Sequence, residues 1–470
     1  MTIAPEIFKA YDIRGIVDKT LTEEGVEKIG QGLAVMGKAR GVSRFVVGRD
    51  GRLSGPRLAK ALAKGLNAGG ADVIDIGVVA TPMVYFATHL FATGSGVMVT
   101  GSHNPPDYNG LKMMVAGETL AAETIQDLRR IVEGSQFAKG QGKYETADVS
   151  GPYLDRIASD VKLARPMTIA VDCGNGSPGA FAPKLYRRLG CEVIELFCEV
   201  DGKFPNHHPD PSKPENLKDL ISELARTDAE VGLAFDGDGD RLGVVTKAGK
   251  IIYPDRQLML FAEEVLSRNP GAEIIFDVKC TRNLFPWIRK HGGKPLMWKT
   301  GHSLLKAKLK ETGAPLGGEM SGHVFFKDRW YGFDDGLYAG ARMLELLSRV
   351  SDASKLLESL PDSISTPEIN VDLQREGENH KLIAGLQKTA KFNGATDVNT
   401  IDGLRVEYPD GFGLMRASNT TPVIVLRFEA DTDAALARIQ REFKDVLLAA
   451  RPDLGSEPFF SGKKKGADSF

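Results

Sequence analysis

Arg44-Phe45-Val46-Val47-Gly48-Arg49-Asp50-Gly51-Arg52-Leu53-Ser54-Gly55 is the stretch whose reading decides the fold. Residues 44–48 read as a strand and an Asp-bearing loop follows. A helix then begins near Ser54, passes Ala59, Leu62 and Leu66, and ends at Gly69-Gly70. A second strand is predicted at 71–76. The unit recurs. Residues 168–171 lead into Asp172-Cys173-Gly174-Asn175-Gly176-Ser177, a helical stretch to Gly190 and a strand at 192–197. Residues 274–276 lead into Asp277, a helical stretch to Gly292-Gly293 and a strand at 294–298. Each copy is strand, Asp-bearing loop, helix, glycine, strand. Such β-α-β units make parallel sheets with right-handed crossovers. Copies spaced about 100 residues apart predict three related α/β domains.

The pattern changes after Leu360. Pro361 to Pro367 reads as a hinge or linker, strand-like runs follow at 400–407 and 422–429, and an amphipathic helix at 433–449 closes the segment. This predicts a smaller α+β fourth domain. At 470 residues the chain exceeds what one core can organise. The expected limits are 1–147, 148–250, 251–362 and 363–455, with a polar, glycine-bearing tail at 456–470 expected to be disordered.

A formal net charge of -2 gives no general attraction to nucleic acid or an anionic membrane. No apolar run reaches the roughly 18 residues that span a bilayer, and the N-terminus lacks a basic region followed by an apolar core. The reading is a cytoplasmic protein with neither nucleic-acid nor membrane partners. Cys173, Cys191, Cys198 and Cys280 form no C-x-x-C pair and read as buried reduced thiols. His207-His208 lies in the proline-rich segment 202–211, a rigid loop. Adjacent histidines without spaced partners read as structural or solvated, not as metal ligands.

Four loops carry chemistry. The apolar run 96–99 reads as a buried strand ending in Thr100-Gly101-Ser102-His103-Asn104-Pro105, where glycine and proline block continuation into a helix. Ser102, the candidate nucleophile, thus sits on a stiff loop at a strand's carboxyl end, where open α/β sheets bind ligands. In Asp236-Gly237-Asp238-Gly239-Asp240-Arg241, three carboxylates alternate with glycines and can turn to one side. Carboxylates that close repel unless a cation lies between them, and Mg²⁺ is the natural occupant. An EF-hand fails, since its sixth position is Arg241 in place of Gly and its twelfth is Lys247 in place of Glu. Gly318-Glu319-Met320-Ser321-Gly322-His323 is a polar loop suited to reading sugar hydroxyls. Arg416-Ala417-Ser418-Asn419-Thr420-Thr421, with Arg427 on the next strand, concentrates donors suited to a phosphate.

Together and in this order, the four strings resemble the α-D-phosphohexomutase superfamily, in particular its bacterial phosphomannomutase/phosphoglucomutase branch, over nearly the whole chain. The resemblance implies four domains around one central cleft and a cytoplasmic, monomeric enzyme acting on small sugar phosphates. Hexose 1-phosphate and 6-phosphate of mannose and glucose would be interconverted, with hexose 1,6-bisphosphate as intermediate and activator. Ser102 would be a phosphoserine whose phosphate binds Mg²⁺ together with Asp236, Asp238 and Asp240. Arg241 would contact that phosphate, and Tyr11, Arg14, His103 and Lys112 would line the transfer site. Lys279 and His302 would lie on the sugar side, and Glu319, Ser321 and His323 would recognise the sugar. Arg416, Ser418, Asn419 and Thr420 would hold the phosphate not being transferred. Either a deprotonated Lys112 or a relay through Arg14 and His323 would accept the hydroxyl proton. A phosphoglucosamine mutase is the nearest alternative, disfavoured by Met320. A sugar-phosphate phosphatase and a non-catalytic binding protein are the rivals from other classes.

Overall fold

The computed structural model describes residues 3–454 except 376 and 420. The expected disorder of 456–470 therefore falls outside the described residues. Among them are four sheets, and the first three each have a parallel centre that turns antiparallel on one side.

In the first sheet, Arg44–Arg49 lies parallel between Gly96–Val99 and Asp72–Val78, and Tyr144–Thr146 extends it. Tyr108–Val115 and Ile13–Ile16 then add antiparallel strands beyond Gly96–Val99. In the second, Thr168–Asp172 lies parallel between Glu192–Leu196 and Val231–Phe235, with Leu242–Thr246 antiparallel beyond. In the third, Glu273–Asp277 lies parallel between Lys294–Trp298 and Leu316–Gly318, with Val324–Phe326 antiparallel beyond. The three repeats read from sequence are these parallel pairs.

One consequence governs function. In each copy the motif loop is the connection where parallel pairing gives way to antiparallel: 100–107, 236–241 and 319–323. The fourth sheet pairs antiparallel, and its motif loop joins Gly411–Ala417 to Val423–Ala430. All four loops are hairpins.

Every residue of Val231–Phe235 and of Leu242–Thr246 is buried, as expected for apolar strands covered on both faces. The helix Gly336–Leu347 is likewise buried at every position. It belongs to one continuous apolar cluster that takes in Val46 and Met83, Val171 and Leu233, and Phe276 and Leu344, so the first three sheets share a core. The fourth sheet packs on its own cluster around Phe428 and Phe443.

Three expectations need correction. The strand read at 400–407 is Leu404–Tyr408, and residues 400–403 form the turn that joins it to Asp397–Asn399. Gly403 has φ +81°, which breaks the extended backbone there. The linker 361–367 is partly sheet: Ile364 and Ser365 pair with Ala430 and Glu429, and Thr366 N donates to Phe428 O at 2.9 Å. Of the four thiols, Cys198 is only half-buried, lying 3.6 Å from Cys173 Sγ; all four are free.

Candidate active site

Ser102 follows the buried strand Gly96–Val99 and adopts φ +50°, a left-handed conformation that a non-glycine residue holds only when its surroundings fix it. Its amide donates to Thr100 Oγ1 at 2.8 Å, and Thr100 Oγ1 donates to Asp50 Oδ2 at 2.7 Å. This conformation places Ser102 Oγ 3.1 Å from Asp236 Oδ2 and 3.1 Å from His103 Nδ1. The two loops approach so closely that a Cβ on Gly237 would stand 2.5 Å from Ser102 O, which is why glycine occupies that position. Burial, then the charges of Arg241, Arg14 and Lys112, push the His103 imidazole well below its usual range, so it is neutral.

Asp236, Asp238 and Asp240 are fully buried, and their carboxylates present oxygens within 4.8 Å of one another. Lys112 Nζ donates to Asp238 Oδ2 at 2.7 Å and also to Asp240 Oδ2. Burial and the two neighbouring aspartates drive Asp236 well above the ordinary carboxylate range. Burial also opposes ionisation of Asp240, but Lys112 and His323 outweigh it and hold that group charged. Asp238 Oδ1 and Asp240 Oδ1 are buried without a hydrogen-bond partner. Inward-facing carboxylate oxygens with unspent lone pairs suit a hard, oxygen-seeking cation, so the residues present fit a divalent ion.

Arg241 Nε lies 3.4 Å from His323 Nε2 and 3.9 Å from Asp236 Oδ2, joining the 236–241 loop to the 319–323 loop. His323 Nδ1 lies 2.8 Å from Ser321 Oγ and 3.1 Å from a Glu319 oxygen, while Nε2 faces Asp240 at 3.3 Å. Burial alone would lower the His323 pKa, yet Asp240 and Glu319 raise it to about 9. Burial likewise opposes the charged form of Lys112, and Asp238 and Asp240 reverse it, raising its pKa. Both residues proposed as proton acceptors are thus held protonated in this arrangement. His302 is buried beside them, 3.5 Å from Asp334.

Glu319 also accepts from Gly301 N at 2.6 Å, and Tyr11 donates to Thr300 O at 2.6 Å, so one short segment ties the first and third domains together. Asn419 reaches Tyr11 from the fourth domain. Arg416 Nε donates to Asp402 Oδ2 at 3.1 Å, and Ser418 Oγ accepts from Thr421 Oγ1 at 3.1 Å. Thr420 lies outside the described residues. Arg427 lies on the same face of the sheet as Arg416, since its cross-strand partner Leu414 is two residues from Arg416, but its guanidinium is engaged with the third domain, donating to Lys279 O and lying 3.4 Å from Asp255. Lys279 Nζ bonds Glu368 Oε1 at 2.7 Å.

Several contributors escaped the sequence. Thr81, from the first domain, donates to Asp238 Oδ2 at 2.5 Å and steadies the 236–241 loop. Asp12 and Asn104 are two more: they hold Arg14, which also donates to Gly101 O at 3.2 Å. Asp402 orients Arg416 while accepting from Thr300 N at 2.9 Å. These partners lie up to roughly 150 residues apart in sequence, and no local spacing announces them.

Three mixed α/β sheets, whose hairpin loops meet around a carboxylate group that can hold a metal, and a smaller fourth domain that reaches Tyr11 define a multidomain α/β protein with one composite site. Models of the phosphoglucomutase/phosphomannomutase alpha/beta/alpha domains I, II and III match residues 5–139, 151–249 and 253–364, and that of the C-terminal domain matches 368–446. A phosphoglucomutase of Neisseria gonorrhoeae is 62% identical over 95% of this chain and 97% of that protein. A phosphomannomutase/phosphoglucomutase of Pseudomonas aeruginosa is 57% identical over 96% of this chain and 98% of that protein. The crystal structure of a phosphoglucomutase/phosphomannomutase family protein from Burkholderia thailandensis superposes with a TM-score of 0.92 at 61% identity, covering 96% and 99% of the two chains. The chain belongs to the phosphoglucomutase/phosphomannomutase family. It is an enzyme that moves phosphate within its substrate.

Proposed function

We propose that this enzyme interconverts hexose 1-phosphate and hexose 6-phosphate, with glucose and mannose as its sugars, by passing the phosphoryl group through Ser102. The observation that carries the reading is Ser102 Oγ at 3.1 Å from Asp236 Oδ2, inside a buried three-carboxylate group. Relatives named for both sugars support the dual substrate.

In the first half-reaction a free hydroxyl of the hexose phosphate attacks the phosphorus of phospho-Ser102. The P–Oγ bond breaks with its electron pair left on Oγ, and the proton given up by the attacking hydroxyl is matched by one taken up at Oγ, so Ser102 is left as a neutral hydroxyl. The product is hexose 1,6-bisphosphate. After the bisphosphate turns around, Ser102 Oγ takes the other phosphoryl group and frees the isomeric monophosphate. Free bisphosphate would act as activator by restoring phosphate to any Ser102 that has lost it.

Asp236, Asp238 and Asp240, with an oxygen of the Ser102 phosphate, would hold Mg²⁺, which supplies charge neutralisation at the transferring group. Arg14, Lys112, Arg241, His103 and His323 line that position, and the cations among them stabilise the charge spreading over the phosphoryl oxygens. Tyr11, Lys279, His302, Glu319 and Ser321 serve the sugar, and Arg416, Ser418, Asn419 and Thr420 the second phosphate. Domain limits of 1–147, 148–250, 251–362 and 363–455 divide these roles. A monomer suffices, since one chain contributes all four loops, and free thiols suit the cytoplasm. Among the described residues no helix is long and apolar enough to cross a membrane.

The test is conversion of glucose, mannose and glucosamine 1-phosphates, with phosphopeptide mapping of the active enzyme. Turnover of the first two with phosphate on Ser102 is expected. Preferred glucosamine 1-phosphate would instead make the enzyme a phosphoglucosamine mutase, and a burst of free phosphate would make it a phosphatase.

A further inference from the structure

We propose that Arg52 is a positioning residue for phosphoryl transfer, holding the Ser102 loop in the shape that presents Oγ to the carboxylates. The proposal rests on the reading of Ser102 as phosphoryl carrier. Arg52 is 1% exposed, and its guanidinium is encircled by that loop. Nη2 donates to Ser102 O at 2.9 Å and to Asn104 O at 2.6 Å; Nη1 donates to Tyr108 O at 3.0 Å and to Pro105 O. Nε donates to Asp50 Oδ2 at 3.2 Å. Each of its five N–H donors is spent, four of them on backbone carbonyls of one loop.

Carbonyls turned inward to one point repel each other, and burying them unpaired is costly, so this shape needs a cation with a planar fork at its centre. The fit leaves no slack: a Cβ on Gly101 would stand 2.4 Å from the guanidinium carbon. One of the four carbonyls belongs to Ser102 itself, whose φ of +50° must be maintained from outside. Asp50 completes the clamp, accepting from Arg52 N at 3.0 Å, Thr100 Oγ1 at 2.7 Å and Gly101 N at 3.2 Å.

The second domain seats the same guanidinium. The Phe204 ring centre lies 5.1 Å from it, and a Cβ on Gly202 would stand 2.5 Å from Gly51 O. That domain also carries Asp236, Asp238 and Asp240. Arg52 thus fixes both the loop's shape and its seat against the domain it must face. Since no N–H remains for substrate, Arg52 acts through the loop.

The experiment compares Arg52→Lys and Phe204→Leu with the parent enzyme, measuring kcat per folded and Ser102-phosphorylated molecule, KM for glucose 1-phosphate and thermal melting. Lysine keeps the charge but cannot span four carbonyls. Arg52→Lys should lower kcat about 30- to 100-fold with KM changed less than about threefold, since a 1 Å displacement of a reacting group costs on that order. Phe204→Leu should lower kcat about three- to tenfold with the same unchanged KM. A merely structural residue would change the amount of folded enzyme and leave kcat per folded molecule intact, and that result overturns the proposal. So does an Arg52→Lys kcat within about threefold of the parent. If Arg52→Lys yields no folded protein, Phe204→Leu decides alone, and an unaltered kcat overturns the proposal. Failure of the underlying reading looks different: the parent would carry no phosphate on Ser102, and Ser102→Ala would stay active.

Discussion

The hairpin loop bearing Ser102 and the hairpin loop bearing Ser418 are the same kind of connection built to opposite ends. Ser102 is buried at the end of a strand whose side chains enter two apolar cores, in a loop pinned by Arg52, Asp50 and Gly237. Ser418 and Asn419 are half-buried, their sheet has a core of its own, and Asn419's partner is Tyr11 of another domain. The fourth domain meets the third through a small shared apolar cluster, Phe412 and Leu414 against Val278, and through polar contacts: buried Arg405 donates to Val278 O at 2.7 Å and Cys280 O at 2.6 Å. The difference separates chemistry from grip. On the proposed reading the Ser102 site is preorganised at the cost of backbone strain, while the second phosphate would be held by a loop that meets the rest of the site across a domain boundary.

Removing the carrier is the harshest test of that division. Ser102→Ala should cost on the order of 10⁴-fold or more in kcat, since no neighbouring hydroxyl can hold the group between half-reactions. Intact-protein mass should show one phosphate fewer than in the parent. Substantial activity in the variant would remove Ser102 from the mechanism. Metal removal attacks the same preorganised half. Chelation with EDTA should lower turnover about 10²- to 10³-fold, and Mg²⁺ should restore it while larger Ca²⁺ restores little. Full activity in excess chelator would leave the three aspartates without this role.

Disrupting the gripping half should do less, and do it differently. Arg416→Ala removes a charge-assisted contact to the second phosphate and should cost about 2 kcal/mol, or about 30-fold in kcat/KM. Ser102 should remain phosphorylated, because its loop is built independently. A loss of phosphate from Ser102 in this variant would show that the two halves are coupled more tightly than their separate cores imply.

How legible each half was follows from the same physics. The Asp236 to Asp240 string declares itself because charge repulsion within five residues is a local fact. The repeated β-α-β units are legible because hydrophobic period and glycine punctuation are local too. Arg52 and Thr81 are not: the loop that encircles Arg52 begins some fifty residues downstream, and Thr81 meets Asp238 from another domain. Asp50-Gly51-Arg52 stood in the opening stretch with no sign that its guanidinium would turn inward to carbonyls. Arg427 shares a sheet face with Arg416, yet nothing local shows that its guanidinium is already engaged by Lys279 O and Asp255 of the third domain.

The mildest test concerns the sugar, where both halves meet. Glu319 is anchored before any substrate arrives, with Gly301 N at 2.6 Å on one oxygen and His323 at 3.1 Å from the other. Burial opposes its charge, but His323 outweighs it, so Glu319 is a carboxylate whose position is set and whose remaining lone pairs accept hydroxyls. A bisphosphate that turns around must meet one reader in two orientations, which favours reading the 3- and 4-hydroxyls. Glucose and mannose share those and differ at carbon 2, so their kcat/KM values should agree within about tenfold, or ~1.4 kcal/mol. Galactose 1-phosphate inverts the 4-hydroxyl and leaves a buried carboxylate poorly paired, costing about 1.5 to 3 kcal/mol, or roughly tenfold to 150-fold. Glu319→Gln keeps the shape and should narrow the galactose discrimination, because a neutral amide loses less when a hydroxyl is missing. Galactose turned over as well as glucose by the parent enzyme would mean that Glu319 orients His323 alone and that the sugar is read elsewhere in the cleft.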